Sequence, residues 1–324
     1  MKLIKYSIMN LKKPKFWDYE KPNIFSNLLF PLSKLVEIKS NWKKTKKIKF
    51  ENIKTICVGN IYLGGTGKTS IAIEIKRILD EQNIKSCFIR KKYSNQIDEQ
   101  RLLEKFGKTF VNKSRVAALK NAVSESFKVA IFDDGLQDKE ISYDVSFVCF
   151  NKKNLIGNGR VIPAGPLRET LDNMEKYRNI FFNGNDEDNE NFKKNLNQKY
   201  SNLEFFESEY VLLNLNQLDL NKKYVVFSGI GNHQTFIDML EKNKLNIVQN
   251  FEFSDHYNFL QKDIEKIVKF AFKNNAKILT TEKDYLRLNQ KLQTGIDYTK
   301  INLKIPDKDR LKKKILALLT PRSL

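Results

Sequence analysis

Cysteine is scarce in this chain of 324 residues: Cys57, Cys87 and Cys149 are odd in number, far apart and without a CxxC pair. That pattern excludes a disulfide scaffold and a structural zinc site, and it points to a reducing compartment. Histidine is scarcer still, with only His233 and His256. Thirteen glycines and seven prolines are too few for a collagen-like or mucin-like chain. No apolar run reaches the roughly 18–20 residues that a spanning helix needs. The first ten residues carry neither a long apolar stretch nor a small-residue cleavage site, so no secretory signal is expected. No internal repeat is evident.

What the chain has is apolar mass and positive charge. Apolar residues make up 41% and charged residues 30%, the composition of a globular protein with a real core. Lys and Arg number 58 against 38 acids, a net charge of +20. Such a balance suits a polyanionic partner (nucleic acid, an anionic membrane or phosphates), and it also suits a chain biased throughout toward Lys, Asn and Ile. The charge is uneven, however. Residues 1–50 hold 13 Lys against Asp18, Glu20 and Glu37, a net +10 in less than a sixth of the chain.

That basic segment surrounds an apolar stripe. As a helix, Ile24, Leu28, Leu32 and Leu35 share one side, widened by Phe25, Leu29 and Val36. Phe16 and Trp17 precede it, and Trp42 with Lys43, Lys44, Lys46, Lys47 and Lys49 follows. The stripe suits a helix lying in a bilayer interface. It equally suits an amphipathic helix packed on its own domain, and the pattern alone leaves both readings open.

Residues 55–60 read as a short buried strand, followed by Gly64-Gly65-Thr66-Gly67-Lys68-Thr69 and a helical pattern through Ile71, Ile75, Ile78 and Leu79. Strand, glycine loop, Gly-Lys-Thr and helix is the context of a phosphate-binding loop. Glycines let backbone N–H groups converge on phosphate oxygens, and the helix N-terminus adds its dipole. Lys68 would reach the β- and γ-phosphates, and the Thr69 hydroxyl would hold Mg²⁺. The strict pattern has a further Gly where Tyr62 stands. A second apolar strand, 129–133, ends in Asp133 and Asp134, either of which could hold the metal. Position 63 is Leu where dimerising deviant-loop ATPases carry Lys, and no guanine motif of the Asn-Lys-x-Asp kind is present.

These residues, with several runs downstream, resemble the tetraacyldisaccharide 4′-kinase family, the lipid A 4′-kinases of Gram-negative bacteria. The runs are 58–69, 133–137, 157–169, 229–232, 253–256 and 280–284, in family order over nearly the whole chain. The resemblance implies transfer of the γ-phosphoryl of ATP, with Mg²⁺, to the 4′-hydroxyl of a tetraacylated glucosamine disaccharide 1-phosphate. It implies peripheral work at the cytoplasmic face of the inner membrane, with the N-terminal helix dipping into the interface. By the same resemblance Asp98 would be the base, paired with His256 from a second domain; Glu169 would join Asp133, Asp134 and Thr69 at the metal; Arg168 would contact phosphate. Asp138 stands where the family often has His, Arg90 to Asn95 replace its Arg-Gly-Tyr-Gly-Arg run, and His233 replaces its Pro. A phosphate-loop ATPase or GTPase acting as a regulatory or metal-insertion factor is the competing enzyme class. A nucleic-acid-binding reading leaves the Gly-Lys-Thr loop and the paired acids without a use, so no nucleic-acid partner is expected.

The fold expected is α/β: a phosphate-loop, parallel-sheet core with an N-terminal amphipathic helix over residues 1–205, and a smaller α/β domain over 206–324. Strands are expected at 55–60, 86–90, 129–133, 145–150 and 179–182, then at 223–228, 246–252, 277–280 and 301–305. Helices are expected at 234–243, 261–274 and about 307–319. The polar stretch 183–204 reads as a surface segment near the domain junction.

Overall fold

The computed structural model describes residues 13–42, 47–93, 97–185, 188–255 and 257–320. Two sheets organise it. The larger contains β1 (Lys54–Gly59), β2 (Ser86–Lys91), β3 (Thr109–Asn112), β4 (Val129–Asp133), β5 (Val145–Asn151), β6 (Asn179–Asn183) and β7 (Glu204–Leu212). The smaller contains β8 (Lys223–Ser228), β9 (Asn246–Glu252), β10 (Ala276–Thr281) and β11 (Ile296–Thr299). A last strand, β12 (Ile301–Lys304), returns to the larger sheet and pairs antiparallel with β7, the one antiparallel pairing among the described strands.

The larger sheet runs β12-β7-β6-β5-β1-β4-β2-β3. Parallel strands need crossovers, and those put helices on both faces. Side chains alternate along each strand, so one face of β1 offers Ile56 and Val58 and the other offers Cys57. On the first face pack α2 (Lys68–Asp80), α3 (Ile97–Glu104) and the C-terminal α9 (Lys308–Leu316), through residues such as Ile71, Ile75, Leu103 and Leu311. On the second pack α4 (Arg115–Ser124) and α5 (Glu190–Lys199), through Leu119 and Leu196. The central strand β1 lies between β4 and β5, and the crevice beyond the strand ends there is where open α/β sheets bind ligands.

The smaller sheet is parallel in the order β11-β10-β8-β9. Tyr224 and Val226 face α6 (His233–Lys242), while Val225 and Phe227 face α7 (Gln261–Lys273). A single turn, α8 (Glu282–Tyr285), follows β10.

The α/β class is as expected, with differences in detail. β3, β7 and β11 escape the apolar-run reading because they are short or interrupted by acids, as in Glu-Phe-Phe-Glu-Ser-Glu-Tyr. The polar stretch 183–204 contains helix α5, held by Leu196 alone among its residues that are fully buried. β12 was expected with the second set of strands and instead edges the larger sheet. The smaller sheet is therefore an insertion between β7 and β12, whereas the expected division groups everything after 206.

The N-terminal helix α1 (Ile24–Trp42) inverts the usual amphipathic logic. Its protein-facing side carries Ser26 and Ser33, both fully buried. The Ser26 hydroxyl donates to Ala164 O at 2.6 Å, and the Ser33 hydroxyl donates to Val161 O at 2.7 Å while accepting from Ala164 N at 3.0 Å. Asn158 donates to Ser26 Oγ at 3.2 Å, and Arg160 donates to the Ser26 carbonyl at 3.0 Å. Most of the apolar stripe points the other way: Ile24, Leu28 and Leu35 are 78%, 77% and 63% exposed, while Leu29 and Val36 are half-buried and Val36 packs against the core. The side bearing Ile24, Leu28, Leu32 and Leu35 is thus not the helix's packing face. No described helix is long and apolar enough to cross a membrane.

His233 opens α6 and is buried, with its Nδ1 2.6 Å from Ser228 Oγ and its Nε2 3.2 Å from Asn250 Oδ1. Burial holds its pKa below the ordinary histidine value. A depressed imidazole pKa stabilises the fold above the unfolded value and loses that contribution as pH falls through the folded one. The melting temperature should therefore drop between pH 7 and pH 5, and His233→Gln should flatten the drop. Equal slopes for the two proteins would remove this imidazole as the cause.

Candidate active site

The segment between β1 and α2 is the phosphate-type loop, and its backbone is shaped for that task. Gly67 has φ +79°, a left-handed conformation that side chains resist. A Cβ there would fall 1.4 Å from Asn183 Nδ2, which itself donates to Thr66 O at 3.3 Å. Asn60 at the end of β1 donates to Gly64 O at 3.1 Å. Tyr62, standing where the strict pattern has Gly, is fully buried beneath the loop. Its hydroxyl bonds to Asp18, and Lys13 Nζ lies 2.8 Å from it. The aromatic thereby ties the loop to the segment leading into α1.

The run 157–169 connects that helix to the loop. Residues 158–164 receive α1; then Leu63 N donates to Pro166 O at 2.8 Å and Arg168 N donates to Ile61 O at 2.7 Å. The same run ends by presenting Arg168, whose guanidinium lies 2.7 Å from Asp134 Oδ1. Gln137 accepts from Arg168 at 3.3 Å and donates to Glu169 at 2.9 Å; Glu169 also accepts from Tyr177 at 3.3 Å on the same oxygen and from Asn173 at 2.8 Å on the other.

At the carboxyl edge of β4, Asp133 is wholly buried and Asp134 turns away with φ +62°. The Thr69 hydroxyl sits 3.2 Å from Asp133 Oδ2, on which Arg90 from the neighbouring β2 also donates. Arg90 bonds Glu99 of α3 as well. Arg115 holds the Asp134 carbonyl and lies 3.2 Å from Asp138, so its charge is engaged within the protein. Burial pulls the Lys68 pKa down, but Glu99, Asp134 and Asp133 outweigh it, and the ammonium stands above the usual lysine value. Burial alone would raise Asp134; Lys68 and Arg168 more than offset it and hold the carboxyl below the usual range.

Gly64 to Thr69 line a cavity of about 240 Å³ between the lobes. Its far wall comes from the smaller lobe, with Ile230, Gly231 and Asn232, then Asp255 and Lys283. The lobes meet glycine to glycine: a Cβ on Gly231 would lie 2.3 Å from Gly65 N. Two polar atoms of lining residues, Thr66 Oγ1 and Asn232 Nδ2, are buried without a partner, as groups awaiting a polar ligand would be. Thr69 and Asp133 supply a hydroxyl and a carboxylate side by side, the kind of oxygen pair that suits Mg²⁺ completed by phosphates and water. Among the described residues no group of three His, Cys, Asp or Glu forms a metal cluster.

The structure thus brings together Gly64, Gly65, Thr66, Gly67, Lys68, Thr69, Asp133, Asp134 and Arg168, with Glu169 joined to Arg168 through Gln137. Asp98 lies in the first turn of α3, its side chain outside the described set; His256 lies outside the described residues. Sequence reasoning gave no role to the Arg90–Glu99 pair, Asn183 or Tyr62's tether. A basic residue beside a strand-end acid is a signal only once strand order is known.

Removing Arg90 leaves Asp133 and Glu99 as buried carboxylates without their shared cation. Arg90→Met should destabilise the chain by about 3–5 kcal/mol, read by urea denaturation. A loss below about 1 kcal/mol, the range of exposed pairs, would show that the cluster is not held by this guanidinium.

The tetraacyldisaccharide-1-P 4′-kinase family model matches residues 25–320. A tetraacyldisaccharide 4′-kinase of Pelagibacter ubique (strain HTCC1062) is 51% identical over 310 residues, covering 96% of this chain and 99% of that protein. One from Rickettsia typhi is 32% identical over 329 residues, covering 95% and 99%. A crystal structure of the "apo" form of LpxK from Aquifex aeolicus in complex with ATP aligns with a TM-score of 0.68 at 21% identity, covering 92% of this chain and 100% of that one, a likeness of fold. With a family match of this extent and relatives this similar, the chain belongs to the tetraacyldisaccharide 4′-kinase family.

Proposed function

We propose that the chain transfers the γ-phosphoryl group of ATP to the 4′-hydroxyl of a tetraacylated glucosamine disaccharide 1-phosphate, in the assembly of lipid A in a Gram-negative cell. The observation that carries this reading is the meeting of Lys68, Thr69, Asp133 and Asp134 at the carboxyl edge of the sheet, on a scaffold continuous with an outward apolar helix. The family membership supplies the reaction; the geometry supports a division of labour.

A sugar hydroxyl is a weak nucleophile, so the site must align it, accept its proton and neutralise charge on the moving group. The loop N–H groups from Gly64 to Gly67 and the start of α2 cradle the β- and γ-phosphates. Lys68 remains charged throughout the neutral range, since its carboxylate neighbours raise its pKa, and places that charge on the same oxygens. Thr69 and Asp133 would hold Mg²⁺, which would supply charge neutralisation at the phosphates. Asp134 orients Arg168 toward the transferring group. Asp98 takes the 4′-hydroxyl proton, with His256 as its orienting partner. Glu169 acts behind Arg168 and Gln137, through the hydrogen bonds it accepts.

The substrate is an amphiphile, and the exposed face of α1 fits its setting. We place the chain peripherally at the cytoplasmic face of the inner membrane, with Ile24, Leu28, Leu32 and Leu35 in the interface, and the net charge of +10 over residues 1–50 favours an anionic surface. Double substitution Leu28→Asp with Leu35→Asp should abolish sedimentation with anionic vesicles and leave the melting temperature unchanged, because both side chains already face outward. Undiminished sedimentation would exclude this face as the contact.

The reaction itself is tested by transfer of labelled γ-phosphate to tetraacyldisaccharide 1-phosphate in detergent, with and without Mg²⁺. Labelled lipid that requires Mg²⁺ is expected. Lys68→Ala should cut turnover by roughly 10²–10³-fold and Asp98→Ala by roughly 10²–10⁴-fold, with folding intact. Hydrolysis of ATP without lipid labelling would instead favour a regulatory ATPase.

A further inference from the structure

The division of labour above leaves out Lys283, the second residue of α8 in the smaller lobe. Its ammonium lies 3.0 Å from Glu99 Oε1 on α3 of the larger lobe. Arg90 bonds the other oxygen of Glu99 and, with its second amino group, Asp133. Asp133 faces the Thr69 hydroxyl. A chain of alternating charge therefore runs from the smaller lobe to the carboxylate beside the phosphate loop. The Arg90, Glu99 and Asp133 side chains are almost wholly buried, while Lys283 closes the chain at the cavity wall with 21% of its side chain exposed.

Charge balance gives this arrangement a consequence. Arg90 bridges two buried carboxylates, with Lys68 also near both, and a guanidinium bonded to two acids is shared between them. Lys283 contributes a further positive charge directly on Glu99, and it does so from the other lobe. With Lys283 on Glu99, Arg90 is left to fix Asp133. Without it, Arg90 is drawn between the two acids, and both Asp133 and the first turn of α3, where Asp98 precedes Glu99, lose their anchor.

We infer that Lys283 is a positioning residue for phosphoryl transfer: by pairing with Glu99 it makes the seating of the smaller lobe a condition for the correct placement of Asp133 and α3. The inference rests on the kinase reading above. A lysine in a nucleotide cavity could otherwise be a phosphate ligand, but here the ammonium lies 3.0 Å from Glu99 and 4.0 Å from Asp255.

The test is steady-state phosphorylation of tetraacyldisaccharide 1-phosphate by the full chain and by Lys283→Met, Lys283→Arg, Glu99→Gln and the Lys283→Met/Glu99→Gln pair. Lys283→Met should lower kcat by about 10-fold or more while KM for ATP moves by less than about threefold. Lys283→Arg should recover most of the loss. Glu99→Gln leaves Arg90 a single carboxylate, so in that background Lys283→Met should cost less than about threefold. An unchanged kcat in Lys283→Met overturns the inference. So does a KM for ATP that rises in step with the loss, as for a residue that binds ground-state phosphate, or an equal loss in the Glu99→Gln background. If Lys283→Met fails to fold, Lys283→Gln takes its place under the same criteria. Absence of transfer by the unaltered chain would overturn the kinase reading and this inference with it, whereas transfer that is indifferent to Lys283 overturns the inference alone.

Discussion

A carboxylate held entirely out of water at the end of a strand is expensive unless a cation meets it, and Asp133 is such a group. Much of the site's architecture answers that one demand. Parallel pairing sets Ile89 against Phe132, so the next residues along, Arg90 and Asp133, fall side by side at the sheet's edge. Arg90 then attracts Glu99, which anchors α3, and α3 carries Asp98. The same strand end turns at Asp134 to meet Arg168, which brings the run 157–169 against the loop. Placing negative side chains beside negative phosphates needs positive groups in fixed positions. Arginines supply them, because a forked guanidinium can bind two partners at once.

The second organising element is the run 157–169, which serves two masters. Its first half accepts α1 through serine hydroxyls and Asn158, and its second half lies along residues 61–63 of the loop. Tyr62 adds a direct link, from beneath the loop to Asp18 and Lys13 ahead of the helix. The place where a lipid surface would be felt and the place where phosphates would be held are therefore two parts of one bonded scaffold.

How much of this was legible beforehand follows from the range of the signals. The phosphate loop is local chemistry, with glycines, Lys68, Thr69 and a helix start in one stretch, so it reads directly. Asp133 and Asp134 read as a strand-end pair for the same reason. The Arg90–Glu99–Asp133 group joins two adjacent strands and a helix, and nothing in a linear pattern marks it. β12 illustrates the same limit: its apolar residues announce a strand but not which sheet it will join. For α1 the apolar stripe is visible and its direction is not. Ser26 and Ser33, seven residues apart and so on one helical side, were the available sign that the other side would face the protein.

The return of β12 to the larger sheet has a further consequence. The smaller lobe is threaded between two strands that lie side by side, with Leu212 opposite Ile301. A module attached at a single point can swivel or be traded with that of a neighbouring copy. One that leaves and re-enters through an antiparallel pair is confined to rocking about the line joining its two attachments. Cutting one connection would leave it tethered by the other, and exchanging it between molecules would require both strands to be unzipped together.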